Sequence, residues 1–378
     1  MKRQLFLAMG SLWLAACSTE TPPLVPELPQ APETWELALN ETLGEETDSV
    51  LFGFVTQIAV DRHDRVWVAD REAATIYLFS ADGSLIGRWG DRGEGPGEFR
   101  DLRAIALGLN DSLYVWDGQL ERIQVFIPER GFVRSFHLRW QVEDQPAGIT
   151  RLGIRPLGAT AEALLLQYLP PLIFPDLTAP RPVLVLRATL DGQVQDTLWH
   201  MEMPPPLTHR LSGGGIAMVE RPFAWQPIFR VDLEGEALWY GRTDTLRLER
   251  IDWRRRQRIV VVHYRMDPVP VTEADRDSLK QKEALAMLMR LTGYALPSYK
   301  PVFTTFALGP DTTIWVRLSP PAEVTRARWL VFDEQGRLLA DTYLPTEVVE
   351  IAVGPRIIAA RTHDRTRVLL FQRPSATG

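Results

Sequence analysis

The sequence predicts an all-β fold, a six-bladed β-propeller of four-stranded antiparallel blades that covers residues 34–374. Alternating apolar and polar residues form four short strands over residues 57–90, and the same unit returns over residues 103–138. Units of about 45 residues that repeat in this way are typical of propeller blades. The composition, 45% hydrophobic and 24% charged over 378 residues, is ordinary for a globular chain with a sizeable core.

The two clearest blades are predicted from this alternation and from the polar turns between the strands. The first blade is predicted at Gln57–Asp61, Val66–Asp70, Thr75–Phe79 and Leu85–Trp89. The second blade is predicted at Arg103–Leu107, Ser112–Asp117, Arg122–Ile127 and Phe132–Leu138.

The segment between these blades, Gly90–Phe99, reads GDRGEGPGEF, and the later strand Arg122–Phe126 reads RIQVF. Together with the repeated strands, these residues resemble NHL-repeat and TolB-like propellers over residues 50–140. The resemblance implies that the first strand of each blade lines a central channel. It also implies that each second-to-third loop shares a face with the loop entering the next blade. This face, here called the channel-mouth face, is the usual ligand face of such propellers.

Three further blades are predicted with longer insertions, and a last blade is incomplete. Blade three is predicted at Gly153–Gly158, Ala163–Tyr168, Pro182–Leu190 and Val194–Met201. Blade four is predicted at Pro227–Asp232, Ala237–Arg242, Thr245–Ile251 and Gln257–Tyr264, and blade five at Phe303–Gly309, Thr313–Leu318, Arg328–Asp333 and Leu338–Tyr343. The tail supplies three strands, at Val349–Val353, Arg356–Arg361 and Arg367–Gln372.

The missing strand of the last blade is expected from the N-terminal segment Thr34–Leu39, which alternates like an edge strand. Closing the ring in this way would remove an unpaired sheet edge and tie the two ends of the domain together. A seven-bladed ring and a β-sandwich remain as alternatives.

One helix is predicted at residues 272–292, as an insertion between blades four and five. Thr272 is a suitable N-cap with Asp275 three residues later, and Gly293 ends the helix. Residues 284–289 are apolar almost all round, which indicates that the second half is buried. The insertion lies on the channel-mouth face in this blade order. It is either a lid or docking element, or a helix packed permanently on the rim.

The N-terminus has the parts of a bacterial signal peptide, predicted at residues 1–16. Lys2 and Arg3 are followed by an apolar stretch too short to span a bilayer, and then by Leu14-Ala15-Ala16-Cys17. This last motif resembles the lipobox of bacterial lipoproteins. The resemblance implies cleavage before the cysteine and lipidation of Cys17, while a general signal peptide remains the alternative.

Residues 17–33 are predicted to be the lipidated cysteine and a proline-rich spacer. By the same resemblance, Ser18 after the cysteine implies export to the outer membrane, with the periplasmic side favoured over the cell surface. Cys17 is the one cysteine, so no intramolecular disulfide can form. The net charge of −6 gives no electrostatic drive toward nucleic acid. We therefore expect a monomeric propeller attached to the membrane through its acyl chains.

Charged residues on the channel-mouth face are the candidate binding residues for a polar ligand. They come from the second-to-third loops and from the connector after blade one, and they are Asp70, Arg71, Arg92, Arg103, Asp117, Arg122, Arg242, Asp244, Arg317 and Arg361. The alternative for each is structural: Asp70 and Asp117 satisfy turn amides, and the arginines pair with acidic neighbours on a solvated rim.

The sequence offers no catalytic constellation and predicts no cofactor. The six histidines show no zinc-ligand spacing, and no Gly-x-Ser-x-Gly motif is present. The leading hypothesis is therefore a non-enzymatic lipoprotein that binds a small polar ligand or a protein in the cell envelope. The alternative is a hydrolase or lyase that depends on Ca²⁺ or Zn²⁺ held in the channel. Capture of carbohydrate or protein at the cell surface is a third hypothesis.

Overall fold

The computed structural model describes residues 25–45, 50–140, 153–169, 180–234 and 236–374. The predicted signal peptide, Cys17 and the first part of the predicted spacer lie outside these residues. The first strands of the described residues are β1 at Thr34–Trp35 and β2 at Leu39–Leu43.

The described residues form six antiparallel blades, which confirms the predicted fold. Blade one consists of β3 Val55–Val60, β4 Val66–Asp70, β5 Thr75–Phe79 and β6 Leu85–Trp89. Blade two consists of β7 Leu102–Leu107, β8 Leu113–Asp117, β9 Arg122–Ile127 and β10 Gly131–His137, with a short 3₁₀ helix at Leu109–Asp111. Blade three consists of β11 Ile154–Ala159, β12 Leu164–Tyr168, β13 Arg181–Ala188 and β14 Val194–Met203.

Two insertions surround blade four. The first is a hairpin of β15 Leu207–Arg210 and β16 Ile216–Val219, which the sequence analysis did not predict. Blade four consists of β17 Pro227–Asp232, β18 Ala237–Arg242, β19 Leu246–Asp252 and β20 Gln257–Tyr264. The second insertion contains α1 Glu273–Lys280 and α2 Glu283–Thr292.

The last two blades complete the ring. Blade five consists of β21 Phe303–Leu308, β22 Ile314–Leu318, β23 Arg326–Phe332 and β24 Leu338–Pro345. Blade six consists of β25 Val348–Val353, β26 Ile357–Thr362 and β27 Val368–Gln372, with β2 as its outer strand. β2 pairs antiparallel with β27, so a strand from the N-terminus closes the last blade as predicted.

The position of the closing strand was predicted wrongly. Residues 39–43 close blade six, whereas Thr34 and Trp35 pair parallel with β24 as a fifth strand of blade five. The side chain of Thr34 donates a hydrogen bond to Asp341 at 2.8 Å. Leu37, between the two strands, is buried in the hydrophobic cluster shared by blades five and six. The segment therefore crosses from one blade to the next, which alternation alone does not reveal.

The hydrophobic core of the described residues is divided into six clusters, and each lies between neighbouring blades. The second strand of a blade has another blade on each side and is buried along its whole length, as in β4, β8 and β22. Trp67, Trp116 and Trp315 are fully buried there. These strands are apolar on both faces because a neighbouring blade covers each face and keeps it from water.

The predicted helix 272–292 is two helices, which is a correction. Thr272 caps α1 in a capping box with Asp275, and Gly293 ends α2 in the left-handed region with φ 65°. The chain breaks at Gln281 and Lys282, because the N-terminal half is charged while the second half packs on the β15–β16 hairpin. Leu288 is the one fully buried residue of α2, so the expected burial of this half is only partial.

The end of the predicted spacer contacts the propeller. Pro26 and Leu28 form backbone hydrogen bonds with Arg265, just after blade four. Leu28 and Ala31 also pack against the hydrophobic cluster between blades four and five. These residues are thus part of the folded domain and not of a free spacer.

Candidate functional site

A central channel runs between the blades and has a volume of about 1010 Å³. The first strands of all six blades line it, namely β3, β7, β11, β17, β21 and β25. Each of these strands is the inner edge of its sheet, so the amides on its free side face the channel. This arrangement is the one that the resemblance implied.

Asp70 and Asp117 occupy equivalent places at the ends of β4 and β8, and both are fully buried. The carboxylate of Asp70 accepts hydrogen bonds from the backbone N–H groups of residues 53, 54, 72 and 73, at 2.8–3.1 Å. Asp117 accepts from those of residues 100, 101, 119 and 120, at 2.9–3.2 Å. These contacts are those of the structural alternative, in which both aspartates organise turns.

Arg71 and Arg103 line the channel and share one carboxylate. The Nε atoms of Arg71 and Arg103 contact the two oxygens of Asp101 at 2.6 and 2.5 Å. Burial raises the pKa of Asp101, but the bonds from the two guanidinium groups outweigh burial and hold this pKa below its ordinary value. The three residues form a half-exposed ionic cluster at the channel mouth.

Arg361 also lines the channel, and not every nitrogen of its guanidinium group has a hydrogen-bond partner among the described residues. Its Nε donates to Glu350 Oε2 at 2.8 Å, and the side chains of Arg361 and Glu350 are only 10% and 19% exposed. The buried Nη1 of Arg361 has no hydrogen-bond partner among the described residues. A buried donor without a partner is costly, so this atom is suited to an acceptor that enters the channel.

The other candidate residues do not line the channel. Arg92 donates to the backbone oxygen of residue 72, and Arg122 donates to those of residues 95 and 98, which fixes the connector after blade one. The connector thus depends on these bonds as well as on its glycines.

Arg242 pairs with Asp244 at 2.8 Å on the rim and lies over the ring of Trp225. Arg317 is buried and donates to Thr304 Oγ1 and to the backbone oxygen of Thr346, both at 3.0 Å. Burial lowers the pKa of Arg317 to about 10. The structure therefore brings only Arg71, Arg103 and Arg361 of the ten candidates together at the channel.

Two arginines inside the channel, Arg155 on β11 and Arg230 on β17, were not among the residues predicted from the sequence. Arg155 is exposed to the channel but surrounded by the blades, and this enclosure and then the charge of Arg230 lower its pKa to about 10. Enclosure also lowers the pKa of Arg230, and Glu350 opposes the lowering in both. Both could have been predicted from the sequence, because each is a charged residue within a first strand and the first strands line the channel.

Arg155 and Arg230 are held by neutral groups. Nε and Nη2 of Arg155 donate to Gln167 Oε1 at 2.9 and 2.5 Å. Arg230 donates to the backbone oxygen of Phe229 at 2.8 Å and to Thr305 Oγ1 at 3.1 Å. The guanidinium groups are thus oriented without neutralisation of their charge.

The described residues contain no group of three or more His, Cys, Asp and Glu side chains placed to hold a metal ion. Within the same residues, no helix has the length and apolar character needed to cross a membrane.

Comparison with known proteins supports the fold. A family described as "6-bladed beta-propeller" matches residues 44–140. A solved member of the duf4221 family from Bacteroides vulgatus is 10% identical with a TM-score of 0.53, and the match covers 89% of this chain and 97% of that one. No curated protein matches the sequence.

Two other solved structures are similar at lower scores. A protein from Bacteroides fragilis whose name suggests export is 12% identical with a TM-score of 0.48, over 90% of this chain and 95% of that one. Virginiamycin B lyase from Staphylococcus aureus is 12% identical with a TM-score of 0.43, over 90% of this chain and all of that one (100%).

Proposed function

We propose that this chain is an exported lipoprotein whose propeller binds a polar small molecule in its central channel. The channel itself carries the proposal: its volume is about 1010 Å³, and charged side chains from all six blades line it. Cavities of roughly 300–1,000 Å³ with a few convergent polar groups are typical of small-molecule sites. Lipidation of Cys17 and a position at the periplasmic side of the outer membrane belong to the same proposal and rest on the lipobox.

The proposal makes binding, not catalysis, the activity of the channel. Nothing in the described residues favours the metal-dependent hydrolase or lyase, which is therefore kept as an outcome of the test.

The helical insertion is a second recognition surface only if a protein partner exists. Tyr294, after α2, donates a hydrogen bond to the backbone oxygen of Pro222 at 2.9 Å, and Lys300 pairs with Asp275 at 2.7 Å. These contacts favour an insertion held on the rim over a moving lid.

Hydrogen exchange tests the site of binding. The chain from Ser18 to Gly378, which keeps every described residue, is screened for small molecules that raise its melting temperature. A molecule bound in the channel should protect amides of the inner strands, such as β3 and β17, and leave the outer strands unchanged. Protection confined to the insertion would contradict the proposal, and a stoichiometric metal whose removal lowers the melting temperature would favour the enzyme.

Mass spectrometry tests the anchor. The mature protein should begin at Cys17 with covalent acyl chains and should sediment with the outer membrane. The variant Cys17→Ser should lose the acyl mass and become extractable without detergent, because the acyl chains on Cys17 supply the membrane affinity. An unmodified Cys17 in membrane-free protein would refute the lipoprotein assignment.

A further inference from the structure

On the basis of the ligand-binding function proposed above, we infer that the channel binds a small molecule through an oxyanion, a carboxylate or a phosphate, held by Arg155, Arg230 and Arg361. The three residues come from blades three, four and six, and all of them line the same cavity. The three residues are far apart in sequence, and they meet at one cavity because the blades close into a ring.

The charge of this group is strongly unbalanced. Arg365, in the loop after β26, also lines the channel, so four guanidinium groups face one carboxylate, Glu350. Glu350 is the one acidic residue in the described chain that acts electrostatically on Arg155, Arg230 and Arg365, and its side chain is already bonded to Arg361. About three positive charges in an enclosed space therefore lack a counter-charge.

An enclosed and unbalanced positive charge opposes folding unless a bound anion compensates it. Arg155 and Arg230 are nonetheless held in place, by Gln167 and Thr305, in orientations fixed before any ligand arrives. Guanidinium groups fixed in this way suit carboxylate and phosphate, because their planar N–H groups match two oxygens at once. Preorganisation lowers the entropy cost of binding.

Arg361 supplies an independent observation. Its side chain is nine-tenths buried, and its buried Nη1 has no hydrogen-bond partner among the described residues although Arg361 lines the channel. An oxyanion oxygen would satisfy this donor and add a charge-assisted hydrogen bond.

Apart from Glu350, the acidic residues of the channel lining are at the opposite end. Asp61 and Asp111 follow the first strands of blades one and two, and both form ion pairs with Arg65 at 2.7 and 3.2 Å. In blade four, Asp232 ends the first strand β17 and Glu234 lies in the turn that follows it. The channel thus has a cationic and an acidic end, and an anion is expected to bind at the cationic one.

The test compares matched probes by calorimetry on the chain from Ser18 to Gly378. The probes are inorganic phosphate, citrate, glucose 6-phosphate and glucose. We expect glucose 6-phosphate or citrate to bind at least tenfold more tightly than glucose, with an affinity that falls as salt is added. Phosphate and citrate show which oxyanion is preferred.

Variants locate the site. Arg155→Gln and Arg230→Gln should each weaken anion binding at least tenfold, whereas Arg255→Gln should leave it unchanged. Arg255→Gln is a matched control because this substitution removes the same charge from an exposed turn between β19 and β20. Arg155→Gln should also keep or raise the melting temperature of the ligand-free protein, since it removes an uncompensated charge. If Arg155→Gln does not fold, Arg155→Lys must retain the anion preference with lower affinity.

The outcomes separate the two proposals. Equal binding of glucose and the anions, insensitive to Arg155→Gln and Arg230→Gln, overturns the oxyanion inference and leaves a channel that binds neutral ligands. An equal loss in Arg255→Gln overturns it as well, since the attraction would then be unspecific. Binding of no probe overturns the oxyanion inference alone, because the channel-binding proposal is decided by the ligand screen and hydrogen exchange.

Discussion

Replacing Asp70, the fully buried last residue of β4, should destabilise the propeller strongly. Its buried carboxylate accepts four backbone N–H bonds, which join the loop before β3 to the turn between β4 and β5. The variant Asp70→Ala removes all four acceptors. At about 1 kcal/mol for each net hydrogen bond, the loss of unfolding free energy should be about 4 kcal/mol. With an entropy of unfolding of about 2.1 cal/mol/K per residue, the melting temperature should fall by about 6 °C.

The assay is urea and thermal unfolding of the chain from Ser18 to Gly378, followed by circular dichroism. Asp70→Asn should lose less, about 1–2 kcal/mol, because one oxygen remains to accept hydrogen bonds. Asp82→Ala is the control: Asp82 also accepts turn bonds in blade one but is exposed, so water replaces the carboxylate. A loss in Asp70→Ala no larger than in Asp82→Ala would refute the turn-organising role and return Asp70 to the list of binding candidates.

Three further predictions concern closure, the ion pair of a buried arginine, and pH. Removing the chain through Leu39–Leu43 should leave blade six with an open edge and cause aggregation, measured by light scattering, and a stable monomer would contradict the closure. Glu220→Ala should cost about 2 kcal/mol in urea unfolding, because the side chain of Arg181 is 2% exposed and would lose both bonds to Glu220; an unchanged midpoint would refute this. Burial raises the pKa of Asp364. Hydrogen bonds to its carboxylate, of which the bond from the Thr362 side chain is the strongest, outweigh burial and lower the pKa to about 2. The carboxylate should therefore stabilise the fold at pH values above its ordinary pKa of 3.8 and lose this effect as the pH falls toward 2. The stability difference from Asp364→Asn should shrink over that range, and a constant difference would refute the assignment.

The blades could be predicted from sequence because both determinants of a blade are local. Alternation marks each strand, and polar turns such as Ala81–Ser84 separate them, so all six first strands were located within a few residues. The closing strand was misplaced by several residues because Thr34–Leu39 and Leu39–Leu43 both alternate. Only the burial of Leu37 between two blades decides between them.

The candidate site was harder to predict, because it depends on contacts across the ring. Asp70 and Arg71 are neighbours in sequence, yet one turns into the blade to bind amides and the other faces the channel. Arg155 and Arg230 are far apart in sequence and look like ordinary strand residues. Their shared environment appears only when blades three and four are placed side by side.

A crystal structure of the protein grown with citrate tests the central claim most directly. We predict that a carboxylate of citrate occupies the channel with its oxygens within hydrogen-bond distance of Arg155 and Arg230, and that Nη1 of Arg361 gains an acceptor. An empty channel at a citrate concentration that saturates binding in solution, or citrate bound only on the outer surface, would contradict the account.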